Sequence, residues 1–256
     1  MKRIFLVLGL FAVLATPAAS ATKGTTPKIT VYAASSLTNV FPAINANETY
    51  SFGGSNMLAT QIRNGAPADV FASANMTLPT QLYQDGFCSK PVVFTRNTLV
   101  IVVPTANPAH IRTIYGLTKP GVKVDVAAPG VPVGTYTQQV LNNMNIAAAV
   151  NANVVSQETS VADVLAHVAT GEVDAGFVYS TDAKSVPGQV TVIKIPAWAQ
   201  PKVQYGICVV SASANKTAAH AFISLVLSRK GQLELRKYGF LRRFKPHHRH
   251  RHRHTR

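Results

Sequence analysis

Acidic side chains are scarce in this sequence, with 10 Asp and Glu against 25 Lys and Arg, for a formal charge of +15 at pH 7. Such an excess suggests a polyanion partner until its placement is considered. Lys2 and Arg3 precede the first apolar run, and Arg242, Arg243, Lys245, Arg249, Arg251, Arg253 and Arg256 crowd the last fifteen residues. The body between them is only mildly basic, so no nucleic-acid partner is expected, and a long-range field that steers small anions is the most its charge implies. Long hydrophobic runs are also lacking. The unbroken apolar stretch Ile4 to Leu14 is eleven residues, short of the roughly 20 that cross a bilayer. Behind two cations and ahead of Ala19-Ser20-Ala21, it reads instead as a secretory leader, residues 1–21, with a mature chain starting near Thr22. No cysteine lies near that cleavage site, so a lipid-modified N-terminus is not expected. Charged residues make up only 14% and hydrophobic ones 47%, a composition that excludes a disordered chain.

Cysteine is nearly absent too, with only Cys88 and Cys208. Export to an oxidising compartment permits a Cys88–Cys208 disulfide, and the alternative is two buried thiols serving as small hydrophobes. No histidine is close to either in sequence, which argues against a catalytic thiol. His110, His167 and His220 are scattered without ligand spacing, so a catalytic metal centre is not expected and no cofactor is implied.

What is present is alternation. Short β-rich runs (29–34, 70–73, 98–103, 122–127, 175–179, 190–195 and 203–210) are separated by helical patterns such as Leu37, Val40, Phe41, Ile44 and Val161, Val164, Leu165, Val168. This predicts an α/β fold. Pro104 with Asn107-Pro108, and Pro196 with Pro201 around the single Trp198, mark two candidate crossover segments. They divide the chain into one lobe of residues 22–104 plus 200–241 and a second of 105–199, with a ligand cleft between them. Residues 242–256 form a His- and Arg-rich tail of low complexity that cannot pack a core and is expected to be disordered, with metal or polyanion binding as the alternative use.

The chemistry sits where strands give way to helices. Tyr32-Ala33-Ala34-Ser35-Ser36 ends a strand in hydroxyls, with Ser36 placed to cap the next helix, and Phe52-Gly53-Gly54-Ser55 does the same with glycines that allow close backbone approach. Gly130-Val131-Pro132-Val133 and Thr159-Ser160-Val161 open two more helices, so Val133 and Val161 can each offer a backbone N–H. Tyr179 ends a strand with a hydroxyl that can donate. Taken singly, each serine is more ordinarily a helix cap and Tyr179 a core aromatic. Together, helix N-termini and hydroxyls facing one cleft hold an anion without a basic side chain.

In order along residues 28 to 240, Ala34-Ser35-Ser36-Leu37-Thr38-Asn39, Phe52-Gly53-Gly54-Ser55, Gly65-Ala66-Pro67-Ala68-Asp69-Val70, Val178-Tyr179 and Lys237-Tyr238-Gly239-Phe240 resemble the periplasmic molybdate-binding proteins. The resemblance implies a two-lobed periplasmic-binding-protein fold of type II, two α/β lobes joined by two crossovers. It implies a monomer in the periplasm or cell envelope that binds molybdate or tungstate for the membrane permease of an ABC transporter. It carries the anion contacts over to Ser36, Ser55, Val133, Val161 and Tyr179. The stretch from Phe41 to Tyr50 is shorter than the family's, which predicts a truncated first helix and following strand.

Other readings stay open at this level. Sulfate or thiosulfate would suit the same donors. Ferric iron would need clustered tyrosines or carboxylates, which Tyr179 lacks locally. Ser213-Ala214-Asn215-Lys216 matches the Ser-x-x-Lys spacing of some serine acylases, but no companion motif accompanies it, and a turn entering a helix explains it better.

Overall fold

The computed structural model describes residues 27–244; the leader expected at 1–21 and all of the tail beyond Phe244 lie outside the described residues. Two five-stranded mixed sheets are built from ten strands. The first contains β1 (Thr30–Ala34), β2 (Thr49–Gly53), β3 (Val70–Ser73), β4 (Val92–Arg96) and β10 (Gln204–Val209), in the order β2-β1-β3-β10-β4. The second contains β5 (Leu99–Pro104), β6 (Val124–Ala127), β7 (Val154–Glu158), β8 (Ala175–Tyr179) and β9 (Val190–Lys194), in the order β7-β6-β8-β5-β9. The two sheets repeat one plan: three parallel strands, then an antiparallel strand contributed across a chain crossing, then an edge.

The interior strands are continuous apolar runs because both their faces are covered. Every residue of β3, β5, β6 and β8 is buried. Helices α2 (Ser55–Arg63), α3 (Thr77–Gln84), α8 (Lys216–Leu227) and α9 (Arg229–Lys237) flank the first sheet, together with the short α1 (Val40–Ile44). The second is flanked by α4 (Pro132–Asn143), α5 (Ala147–Asn151), α6 (Val161–Thr170) and α7 (Ser180–Ser185). The stripe Val161, Val164, Leu165 and Val168 is the buried face of α6, as its spacing predicts. The first helical segment is indeed short: a 3-10 turn at Ser35–Leu37, then the five residues of α1.

The sheets divide at a different point from the one the prolines suggest. Strand β5 pairs with β8 and β9 of the second sheet, so the first crossing falls at Asn97-Thr98, before that strand and not after Pro104. Pro104 merely ends β5. The second crossing occupies 195–203, where Pro196 and Pro201 do lie. Among the described residues, no helix is long and apolar enough to cross a membrane. Cys88 and Cys208 are both free and buried, and they belong to one small core cluster with Leu58, Phe71 and Leu82. The neighbouring Cys88 thiol and burial push the Cys208 thiol far up, while Cys88 Sγ donates to the Pro79 carbonyl at 3.5 Å.

Candidate oxyanion site

The carboxyl-terminal ends of the parallel strands of both sheets converge on one small cavity, the place where open α/β sheets hold ligands. A small space is bounded by Ala34, Ser35, Ser36, Gly53, Gly54, Ser55, Ala74, Val131, Pro132, Val133, Val161 and Tyr179. Ser36, Ser55, Val133, Val161 and Tyr179, singled out above from separate stretches of sequence, are thus brought together. No charged side chain lines the space.

The two serines do not act as helix caps. Ser36 lies inside the 3-10 turn, which Ala34 precedes, and Ser55 is the first residue of α2, whose N-cap is Gly54; neither cap position carries a side-chain cap bond. Their oxygens are used elsewhere. Ser55 Oγ accepts from the Ala74 amide at 3.1 Å, which leaves its own proton free. Ser36 Oγ lies 2.9 Å from the Tyr205 hydroxyl on β10, a bond in which either hydroxyl can donate. Asn97 Oδ1 accepts from the Thr98 amide and from Ser180 Oγ, which fixes the amide's orientation. Asn97 Nδ2 therefore donates to Thr181 Oγ1 at 2.9 Å and to the Tyr205 oxygen at 3.3 Å. Each of the two hydroxyls has one proton, and donation from Tyr205 to Ser36 is the arrangement that frees the Ser36 proton for the cavity.

Tyr179 completes the hydroxyl set. It is 1% exposed, and its hydroxyl has no hydrogen-bond partner. Burial pushes that hydroxyl well above its ordinary pKa, so it remains a protonated donor. Its ring rests edge-on against Tyr205 at 5.6 Å, and its backbone N–H donates to Asp182 Oδ2 at 3.0 Å, which anchors the start of α7. Burial pushes the Asp182 carboxyl up to about 7, only partly offset by that amide.

The remaining donors are backbone. Val133 is the second residue of α4 and Val161 the first of α6, positions whose N–H groups have no acceptor within the helix. With Ser55 at the start of α2, three helix N-termini face the cavity, each adding partial positive charge. The walls from the two sheets touch directly. A methyl group added at Gly54 would sit 2.2 Å from the Thr159 carbonyl oxygen across the cleft. A broader groove beside the cavity shares Ser35 and Ser36 with it and places Lys184 and Lys237 at its edge.

Sequence reasoning did not find Tyr205, Asn97 or the Gly54–Thr159 contact. The β10 run holding Tyr205 was visible, but nothing local marks its hydroxyl as the partner of a residue 169 positions away. The acylase reading fares differently. Ser213 donates to Asp69 Oδ1 at 2.6 Å and accepts from the Asn215 amide, so its hydroxyl closes a turn and is not engaged with Lys216.

Residues 29–241 match the family model described as "Bacterial extracellular solute-binding protein". The molybdate-binding protein ModA of Mycobacterium tuberculosis is 38% identical over 250 residues, covering 92% of this chain and 94% of that one. Among solved structures, the periplasmic molybdate-binding protein of Azotobacter vinelandii superimposes with a TM-score of 0.73 at 23% identity, over 84% of this chain and 99% of that one. The sulfate-binding protein SubI of M. tuberculosis gives 0.72 at 20% identity, over 83% and 86%. At those identities the two structural likenesses speak to the fold alone.

Proposed function

Because the chain belongs to the bacterial extracellular solute-binding protein family, we propose that it captures molybdate or tungstate as the tetrahedral dianion and passes it to the permease of an ABC importer. The observation that carries this reading is the donor inventory of the cavity. Three hydroxyl protons, from Ser36, Ser55 and Tyr179, and two peptide protons, from Val133 and Val161, face a space with no charged lining. The name of the M. tuberculosis relative supports the cargo.

The energetics suffice without a basic residue. Micromolar binding takes about 8 kcal/mol, and hydrogen bonds to a charged partner contribute roughly 1.5 to 3 kcal/mol each before association costs. Five donors reach that range. Cavity size and protonation then discriminate. Molybdate and tungstate have longer bonds to oxygen than sulfate, so a cavity fitted to them leaves sulfate short of some donors. Phosphate carries a proton near neutral pH and needs a strong acceptor, and a cavity whose lining has no carboxylate disfavours it. The protein works as a monomer outside the cytoplasmic membrane and needs no cofactor.

Sulfate is the second reading, since the same donors suit any tetrahedral dianion and the SubI fold is alike. Calorimetric titration of the purified chain with molybdate, tungstate, sulfate and phosphate separates the two. Molybdate and tungstate should bind far more tightly than the others. Equal affinity for sulfate would refute the size argument, and no heat with any of the four would remove the oxyanion role.

A further inference from the structure

The second sheet carries another polar cluster that the cavity does not use. Asp125 sits on β6 inside the sheet, fully buried, where a lone carboxylate is costly. Its Oδ2 lies 2.9 Å from Nδ1 of His167 on α6, and the same nitrogen is 3.4 Å from Oε1 of Glu158 at the end of β7. The second Asp125 oxygen, Oδ1, is buried with no hydrogen-bond partner. Among the described ion pairs no lysine or arginine reaches either carboxylate.

We propose that Asp125, Glu158 and His167 form a binding site for a divalent transition-metal ion of the zinc class, with Nδ1 of His167 and one oxygen from each carboxylate as ligands. Ligands about 2.0 to 2.2 Å from such an ion, at tetrahedral or octahedral angles, stand roughly 3 to 3.5 Å from one another. The two nitrogen–oxygen separations fall in or next to that range, and all three ligand-type atoms lie within 4.8 Å of each other. Charge points the same way. Two carboxylates face one imidazole. A bound cation takes the place of the shared proton, which leaves Nδ1 for solvent as the metal enters. An imidazole beside two carboxylates suits zinc better than calcium, which takes six or more oxygens.

The setting is that of a held site. Ser156 Oγ donates to Glu158 Oε1 and orients that carboxylate. His167 is 32% exposed and Glu158 16%, which gives an ion a path in. None of the three lines the oxyanion cavity. A bound ion would nevertheless tie β6 and β7 to α6, the helix whose first residue is Val161.

The test is thermal unfolding of the chelator-stripped full chain with and without saturating zinc chloride, alongside His167→Gln and Glu158→Gln. Five further histidines lie between residues 247 and 254, and both variants leave them intact. The wild type should gain roughly 5 °C or more in Tm with zinc and nothing comparable with magnesium, and both variants should lose the gain. Glu158→Gln replaces a partly exposed side chain at an edge strand, so it keeps the test valid if His167→Gln folds poorly. No rise in the wild type, or an equal rise in all three proteins, would overturn the proposal.

Discussion

Tyr179 holds a buried hydroxyl with nothing to bond, and that arrangement costs stability whenever the cavity is empty. Tyr179→Phe should therefore leave the ligand-free protein as stable as the wild type or slightly more so. Molybdate affinity should fall roughly 10- to 100-fold, the loss expected for one hydrogen bond to a charged partner. Calorimetry and a melting curve on the same sample check both halves, and a variant that melts early but binds normally would contradict the assignment. Tyr205→Phe should act at one remove. Without the Tyr205 proton, Ser36 is free to turn its own hydrogen away from the cavity, so affinity should drop about tenfold while the chain stays folded; unchanged affinity would break the relay from Asn97. Both serines were legible in the sequence as hydroxyls at strand-to-helix junctions. The reason they matter was not, because their oxygens are bonded to Ala74 and Tyr205, residues that only the folded chain brings near.

At the level of elements, what could be read was what is buried on both faces. The seven strands visible in the sequence include all six interior ones, β1, β3, β5, β6, β8 and β10, which present near-continuous apolar runs. The three outside those runs, β2, β4 and β7, are edges in which partly exposed residues interrupt the apolar pattern. Gly54 shows what a junction between elements adds. Its φ of −61° suits any residue, so Gly54→Ala meets no backbone strain, and the new methyl group is opposed mainly by the Thr159 carbonyl across the cleft, with Asn56 Oδ1 3.0 Å away as a second neighbour. The variant should melt within a few degrees of the wild type yet bind molybdate at least about tenfold more weakly, since closing the walls now requires a displacement; wild-type affinity would mean the contact does not matter for capture. Between α3 and β10, the Cys88 and Cys208 thiols are neighbours in one buried cluster. A disulfide oxidant that takes two electrons and two protons from them would close a long loop. Protein recovered from an oxidising compartment should show no free thiol after denaturation and should lose about 2 to 4 kcal/mol of stability on reduction, whereas two titratable thiols would mean they stay reduced.

For the whole molecule, the buried Asp182 sets a pH dependence. Its folded-state pKa is raised to about 7, so between roughly pH 4 and 7 the folded chain keeps a proton that the unfolded chain has released, and stability falls as pH rises through that window. Asp182→Asn can still accept the Tyr179 amide bond but no longer titrates. Its urea midpoint relative to wild type should climb from pH 4.5 to pH 7.5; a constant difference would show that the carboxyl ionises as it does in water. The approach of Gly54 to Thr159 also bears on how long a captured ion stays. Backbone meets backbone there, with no side chain to swing aside as a door, so release of the proposed guest would require the two sheets to part, and Asn97-Thr98 and the 195–203 segment that link them are where such a motion should turn. Residence time is then governed by how often the hinge opens, and substitutions at the crossings should change the rate of escape while the lining of the chamber stays as it was.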